Sequence, residues 1–370
     1  MSIFQELGLP RIVNASGRMT ALGVSTASEK TAQAMKEASQ NYVDIAGLMD
    51  AAGKRIAEFT GGEDACPTAG AAAGIAVAVA GCIAKGSIAV TQRLPESSGL
   101  PNQVILQKGH SVNFGAPVPQ MIALGGGKVV EVGSANHTLK EQVSDAICPE
   151  TAALMYVVSH HCVQKGMVSL PDMVEIAHRH NLPLIVDAAA EEDLRKYVAM
   201  GADLVIYSGA KAIEGPISGF VTGNAELIAS CKMQSYGIAR PMKIGKEGIV
   251  GLLAALEGYV SRDTAAIKQA EKAKIDYLFQ QLSQLEGLEC SITRDSAGRD
   301  ITRLQVKVIE AKAHLSCAEM ITALEAGEVS IRTRNHHANL GIIEIDPRPL
   351  MADDEKRIVE KFTRILDEHN

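Results

Sequence analysis

The chain has 370 residues, 46% of them hydrophobic and 21% charged, with a formal net charge of -7. That length supports two domains of ordinary size around a large buried core, and the acidic balance argues against broad nucleic-acid binding, which uses a basic face. Seven cysteines at irregular spacings, with no C-x-x-C pair, read as reduced thiols of a cytoplasmic protein and not as a disulfide framework.

The start, Met1-Ser2-Ile3-Phe4-Gln5-Glu6, lacks the basic region and apolar core of a signal peptide. Residues 1–25 are mixed and turn-rich and read as an N-terminal arm ending in Asn14-Ala15-Ser16-Gly17-Arg18-Met19-Thr20. A helical pattern runs from about Ser28 to Phe59. The most apolar stretch, Ala69 to Ala84, is short of the roughly 20 residues that span a bilayer and reads as a buried helix. From about 120 to 220, apolar strand-like runs alternate with amphipathic helices. Ala152–Val158 is a strand. Ser169 and Pro171 give an N-cap and an early helical proline for a helix to about His180. Leu184–Asp187 is the next strand, Leu194–Met200 a helix, and Leu204–Tyr207 another strand. This alternation predicts a mostly parallel sheet covered by helices, with ligands at the carboxyl ends of its strands. Near 245 the pattern changes. One long helix is expected from Lys246 to about Leu285, opening a smaller α+β domain over 246–370. The remaining elements are strands at Cys290–Thr293, Ile301–Val308, Val329–Arg334 and Ile342–Asp346, with helices at Ala318–Ala326 and Asp353–Glu368. The larger domain is placed at 26–245.

Lys211 follows Asp187 by 24 residues and sits in Tyr207-Ser208-Gly209-Ala210-Lys211. Alone, a strand ending in Asp and a lysine in a small-residue loop are both common. Together they match what pyridoxal 5'-phosphate requires: an amine for its aldehyde and a buried carboxylate for its pyridine nitrogen. Thr68-Ala69-Gly70-Ala71 opens a helix with nothing bulky in its first turn. Such a place suits an anion, here the cofactor's phosphate, although a tightly packed small-residue helix has the same composition. Ser208 is a further phosphate ligand. His110 is expected to cover the cofactor ring, with Phe114 as its rival. In Ser159-His160-His161-Cys162 the spacing does not favour zinc, since sequence neighbours point apart and no third ligand is evident. His161 is expected near the cofactor or substrate. His178 and His180 read as solvent-exposed. Substrate anchors are sought among Arg18, Arg240, Lys243, Arg332, Arg334 and Arg348, because arginine grips carboxylates and phosphates in bidentate fashion. Lys246 and His336-His337 lie beside these clusters.

These segments carry a resemblance. Asn14-Ala15-Ser16-Gly17, Ser159-His160-His161, Leu184 to Ala190 and Ser208 to Lys211 with Gly215-Pro216 resemble the fold-type I pyridoxal phosphate enzymes of the selenocysteine synthase-like group. Within it, Asn14 to Thr20, Lys108 to Pro117 and Tyr207 to Gly219 are most similar to the D-glucosaminate-6-phosphate ammonia-lyase branch. The resemblance implies Lys211 as the Schiff-base lysine, Asp187 as the pyridine partner, and a homo-oligomer with active sites between subunits. It also implies a small phosphorylated amino sugar acid as substrate and elimination of ammonia. The alternatives are another β-elimination or transfer on a small amino acid, selenium transfer on seryl-tRNA, or a cofactor-binding regulator without turnover. The acidic chain, which starts directly at the arm before Asn14, favours the small molecule. No metal, nucleic acid or membrane partner is expected.

Overall fold

The apolar run after Thr68 forms the helix Ala71–Ala84, buried from Gly74 to its end, in the computed structural model, which describes residues 2–159, 161–294 and 300–369. Alanine gives it helix propensity, and a helix that is apolar all round must lie inside. The chain divides into a larger unit, Thr26–Ser261, and a smaller one that joins Met1–Ser25 to Arg262–Asn370. Strand β1 (Arg11–Asn14) belongs to the smaller unit. Strands β2 (Asp64–Thr68), β3 (Gln103–Gln107), β4 (Lys128–Val132), β5 (Thr151–Val157), β6 (Leu184–Asp187), β7 (Leu204–Ser208) and β8 (Gly219–Gly223) form the sheet of the larger one. Strands β9 (Leu288–Arg294), β10 (Thr302–Val308), β11 (Val329–Arg332) and β12 (Ile342–Ile345) return to the smaller unit.

The large sheet has the order β2-β8-β7-β6-β5-β3-β4. Strands β7, β6, β5, β3 and β4 run parallel, and β8 is antiparallel to both β2 and β7. Every residue of β5 and β6 is buried, as expected of strands covered on both faces. Two glycines let elements approach closely. A Cβ at Gly74 would come within 2.8 Å of Ile206, and one at Gly219 within 2.8 Å of the Ala71 nitrogen. The second gap lets the start of the Ala71–Ala84 helix rest on the start of β8.

Three expectations need correcting. The pattern over 28–59 is two helices, Glu29–Gln40 and Ile45–Thr60, with Asp44 capping the second through the Gly47 N–H. The expected long helix is also two, Lys246–Ser261 and Thr264–Leu282, the second capped by Asp263. The first of these packs on Glu29–Gln40, so the large unit extends to Ser261 and not to residue 245. Finally, residues 1–25 are not a separate arm: β1 pairs in parallel with β11, and the Asp346 N–H donates to the Ala15 carbonyl.

In the smaller unit, β12-β10-β9 form an antiparallel sheet. At its edge lies Asp346, fully buried. Arg348 meets it through Nε at 2.9 Å and Nη2 at 2.8 Å, and Arg303 through Nε at 3.2 Å. Burial alone would raise the Asp346 pKa. The hydrogen bond and charge of Arg348, with the charge of Arg303, outweigh it and hold the carboxyl below its ordinary value. Asp346→Ala would remove the buried carboxylate that Arg303 and Arg348 share, and we expect a loss of about 3–5 kcal/mol in denaturant unfolding followed by circular dichroism. Because the folded pKa is depressed, this stabilisation is complete above the unfolded carboxyl value of about 3.9 and disappears as pH falls through the lower folded value.

Candidate active site

Three strand ends lie side by side. In the parallel register Val157 faces Asp187 and Asp187 faces Ile206, two residues before Ser208. Ser208 and Thr68 both align with Gly219, one on each side of β8. Asp187, Ser208 and the start of the Ala71–Ala84 helix therefore gather at one end of the sheet. This is where parallel sheets place ligands.

Asp187 is 7% exposed. Its Oδ1 accepts the Ala189 N–H at 3.1 Å, and among the described residues no other donor reaches the carboxylate. Burial pushes its pKa up to about 6, opposed by the Ala189 hydrogen bond and by the positive charge of Lys211. Lys211 projects from a loop tied at its neck. Gly209 N–H donates to the Ser218 carbonyl at 2.9 Å, Gly215 N–H to the Gly209 carbonyl at 2.8 Å, and the Ser218 hydroxyl to the Pro216 carbonyl at 2.8 Å. A Cβ at Gly209 would lie 2.2 Å from the Ser218 oxygen, so the neck closes only around a glycine.

These residues fit pyridoxal phosphate. Gly70 caps the Ala71–Ala84 helix with no side-chain hydrogen bond, and a Cβ at Gly70 would meet nothing within 4 Å. The first-turn N–H groups thus open onto free space, the condition for an anion at a helix N-terminus. Thr68 turns its hydroxyl to the Gly70 carbonyl at 3.0 Å, which steadies the approach to that turn. Ala69 and Ser208 are half-buried.

The histidines fare differently. His110 has no exposed surface; its Nδ1 accepts the Val157 N–H at 3.3 Å and its ring lies edge-on to Tyr156. Burial lowers its pKa to about 4, against a hydrogen bond with the Val163 backbone, so the ring is neutral. In this conformation it offers no face to a ligand, whereas Phe114 is only half-buried. His161 is exposed, its N–H donating to the Ser159 hydroxyl at 3.2 Å. His160 lies outside the described residues. Cys162, next in the chain after His161, is half-buried. It lies close enough to Asp187 for that charge, after burial, to help raise its thiol pKa to about 12, so the sulfur is a neutral neighbour of the carboxylate. Among the described residues no three His, Cys, Asp or Glu side chains are placed to share a metal ion, and no helix is long and apolar enough to cross a membrane. His178 pairs with Asp203 at 3.0 Å, and His337 lies 3.7 Å from Glu344.

The structure separates the expected anchors. Arg332 pairs with Glu325 at 2.6 Å, Arg348 with Asp346, and Arg334 with Glu344 at 3.6 Å and the Ser16 carbonyl at 3.2 Å. Arg18 is half-buried in the same unit and also makes contacts of its own. Arg240 and Lys243 are exposed and, among the described residues, have no acidic partner. Both line a cavity of about 270 Å³ that also touches Thr68, Met49 and Met242, but not Asp187 or Lys211.

Comparison with known proteins agrees with this geometry. The family model described as SelA: L-seryl-tRNA selenium transferase matches residues 12–344. Over 368 residues, covering 100% of this chain and 98% of the relative, the sequence is 45% identical to D-glucosaminate-6-phosphate ammonia lyase of Salmonella typhimurium (strain 14028s / SGSC 2262). It is 44% identical over 370 residues, 99% of this chain and 92% of the relative, to 5'-C-glycyluridine monooxygenase-decarboxylase of Streptomyces sp. A solved structure of D-glucosaminate-6-phosphate ammonia-lyase has a TM-score of 0.94 at 44% identity, covering 100% of this chain and 99% of that one. With its fold-type I architecture and its match over most of the sequence, the chain belongs to the L-seryl-tRNA selenium transferase family of pyridoxal phosphate enzymes.

Proposed function

We propose that the chain is a carbon–nitrogen lyase that converts D-glucosaminate 6-phosphate to 2-keto-3-deoxy-6-phosphogluconate and ammonia. The observation that carries this reading is full-length similarity, in sequence and in structure, to enzymes bearing that name. The bound cofactor supplies an electron sink for the pair left at the substrate's α-carbon. Lys211 Nζ would hold the cofactor and, as a free amine, would accept the substrate's α-proton. The resulting ammonium then gives a proton to the 3-hydroxyl, which leaves as water, since hydroxide is a poor leaving group. A second water releases ammonia and leaves the keto acid, so all six carbons stay in one product. Asp187 would hold the ring nitrogen protonated, since a buried carboxylate gains from a cationic partner. Thr68, Ala69, Gly70, Ala71 and Ser208 would surround the cofactor's phosphate, and the half-buried Phe114 would back the ring.

Arg240 and Lys243 receive the substrate's distal phosphate in this reading, because the other basic candidates already have partners. The chemistry required at the reacting end is that of a 2-amino-3-hydroxy acid, a unit found in seryl groups as in D-glucosaminate. A second reading, oxidative decarboxylation, is favoured by the near-equal identity to the monooxygenase-decarboxylase. Oxygen uptake with carbon dioxide release, in place of ammonia and a 2-keto acid, would select it. A cytoplasmic homo-oligomer with sites between subunits, working in amino sugar acid catabolism, completes the proposal. The exposed Tyr42, Val43, Ile45 and Tyr236 of the larger unit give a second copy an apolar surface to cover.

Three outcomes test this reading. Lys211→Ala should lose both the borohydride-reducible cofactor link and ammonia release; a link trapped on another lysine would refute the assignment. Asp187→Asn should stabilise the cofactor-free protein at pH 7 while weakening cofactor retention and turnover. The sign follows from the raised pKa: the folded carboxyl holds its proton to about 6, the unfolded one only to about 3.9, so stability falls as pH rises between these values. The asparagine avoids a loss of about 2–3 kcal/mol, readable as a higher melting temperature. Finally, Arg240→Ala and Lys243→Ala should each reduce kcat/KM for the phosphorylated sugar acid about tenfold or more, with D-glucosaminate itself much less affected. Equal turnover of both sugars by the unmodified enzyme would refute the phosphosugar assignment.

A further inference from the structure

We infer that Lys246 is a positioning residue that fixes the Arg240–Gly245 segment, and so sets the grip of Arg240 and Lys243 on an anionic substrate group. The inference rests on the phosphate reading above. Lys246 is the first residue of the helix Lys246–Ser261, the positive end of the helix dipole, where a cation is unfavourable. Glu247 of the same helix lies 3.7 Å from Nζ and offsets part of that cost, and the ammonium's hydrogen bonds go to another helix. Nζ donates to the carbonyls of Ala38 at 2.6 Å, Ser39 at 3.3 Å and Asn41 at 2.5 Å, which lie in the last turn of Glu29–Gln40 and just past it. All three ammonium protons are matched to carbonyls at that helix's negative end. Asn41 Nδ2 closes a fourth carbonyl, that of Glu37, at 2.9 Å.

The ammonium therefore pins two walls of one cavity. One wall begins at Ile45 and Met49, just after the turn that Lys246 holds. The other is the run Arg240 to Gly245 that ends at Lys246 itself. Behind this joint the contact is close-packed. A Cβ at Gly251 would lie 2.7 Å from Met35 and 2.8 Å from Pro216 of the Lys211 loop. Gly251 thus seats the helix against Met35 and Pro216, and Lys246 ties its first residue to the Glu29–Gln40 helix. Among the described residues no acid orients the exposed Arg240 and Lys243, so the backbone they hang from determines their placement. A misplacement of about 1 Å at such groups costs on the order of a hundredfold.

The test uses the cofactor-loaded enzyme. Lys246→Met should weaken binding of inorganic phosphate, measured by calorimetry, about tenfold or more. It should raise KM for D-glucosaminate 6-phosphate with a far smaller change in kcat, and Lys246→Arg should restore most of the loss. If Lys246→Met does not fold, Lys246→Gln, which keeps two N–H donors without the charge, should show an intermediate loss. Phosphate affinity and KM at the unmodified level in a folded Met or Gln variant would overturn the inference. So would a fall in kcat alone, because that would place the effect at the Lys211 loop. If the unmodified enzyme prefers the phosphorylated sugar and Lys246→Met keeps that preference, only the role of Lys246 fails. If the unmodified enzyme shows neither that preference nor phosphate binding, the phosphate reading fails and the inference falls with it.

Discussion

A carboxylate buried at the end of a parallel strand is the constraint around which the larger unit is organised. Asp187 lies between two other central strands, and burial alone makes its ionised form unfavourable. One backbone N–H and one nearby lysine reduce that cost without removing it. The site is therefore strained in the direction of gaining a cationic partner, and a protonated pyridine nitrogen supplies one. The neutral Cys162 thiol and the neutral His110 ring beside this region add no charge that would compete. In the proposed reading, stability given up at Asp187 in the free protein would be recovered on binding, which would tie cofactor retention to the group that tunes its reactivity.

The second requirement is close approach. A helix N-terminus binds an anion only if nothing caps it, and it helps the chemistry only if it reaches the strand ends. Gly70 leaves the first turn uncapped, and Gly219 lets that turn settle on β8. Gly209 and Gly215 do the same for the neck of the Lys211 loop. Gly219 and Gly209 act at contacts where a single methyl group would collide with backbone or with the Ser218 hydroxyl. They place two loops from distant parts of the sequence at one point.

Much of this was legible in the chain. The strand runs 152–158, 184–187 and 204–207 appeared within a residue or so because central strands are uniformly apolar. The pairing of Asp187 with Lys211 stood out because each residue is ordinary alone and the two together are not. What periodicity could not show were short breaks between helices of similar character. Asn41–Asp44 and Arg262–Asp263 each hold an aspartate N-cap, a signal present in the sequence but masked by apolar residues on both sides. The unit boundary moved to Ser261 for the same reason. Partnerships between distant residues were the least visible. Arg332, Arg334 and Arg348 looked as available as Arg240 and Lys243, because Glu325, Glu344 and Asp346 become their partners only once the small unit has folded. His110 looked like a ring cover from its place in the chain, and only the fold shows its faces enclosed.

That last contrast bears on how such a scaffold varies its substrate. Removing a proton beside an amine needs the cofactor, one amine and one buried carboxylate, and these sit on the rigid carboxyl ends of β6 and β7. Whatever distinguishes a phosphosugar acid from another 2-amino-3-hydroxy acid has to be read farther out. The basic groups proposed to read it, Arg240 and Lys243, lie on the segment before the helix Lys246–Ser261, not on the sheet. A loop can change its side chains without disturbing strand register, but it holds them less firmly than a strand does. Anchoring its end through one ammonium to three carbonyls meets both demands. The segment remains free to vary in sequence, and its position is fixed by backbone atoms that no substitution in the neighbouring helix removes.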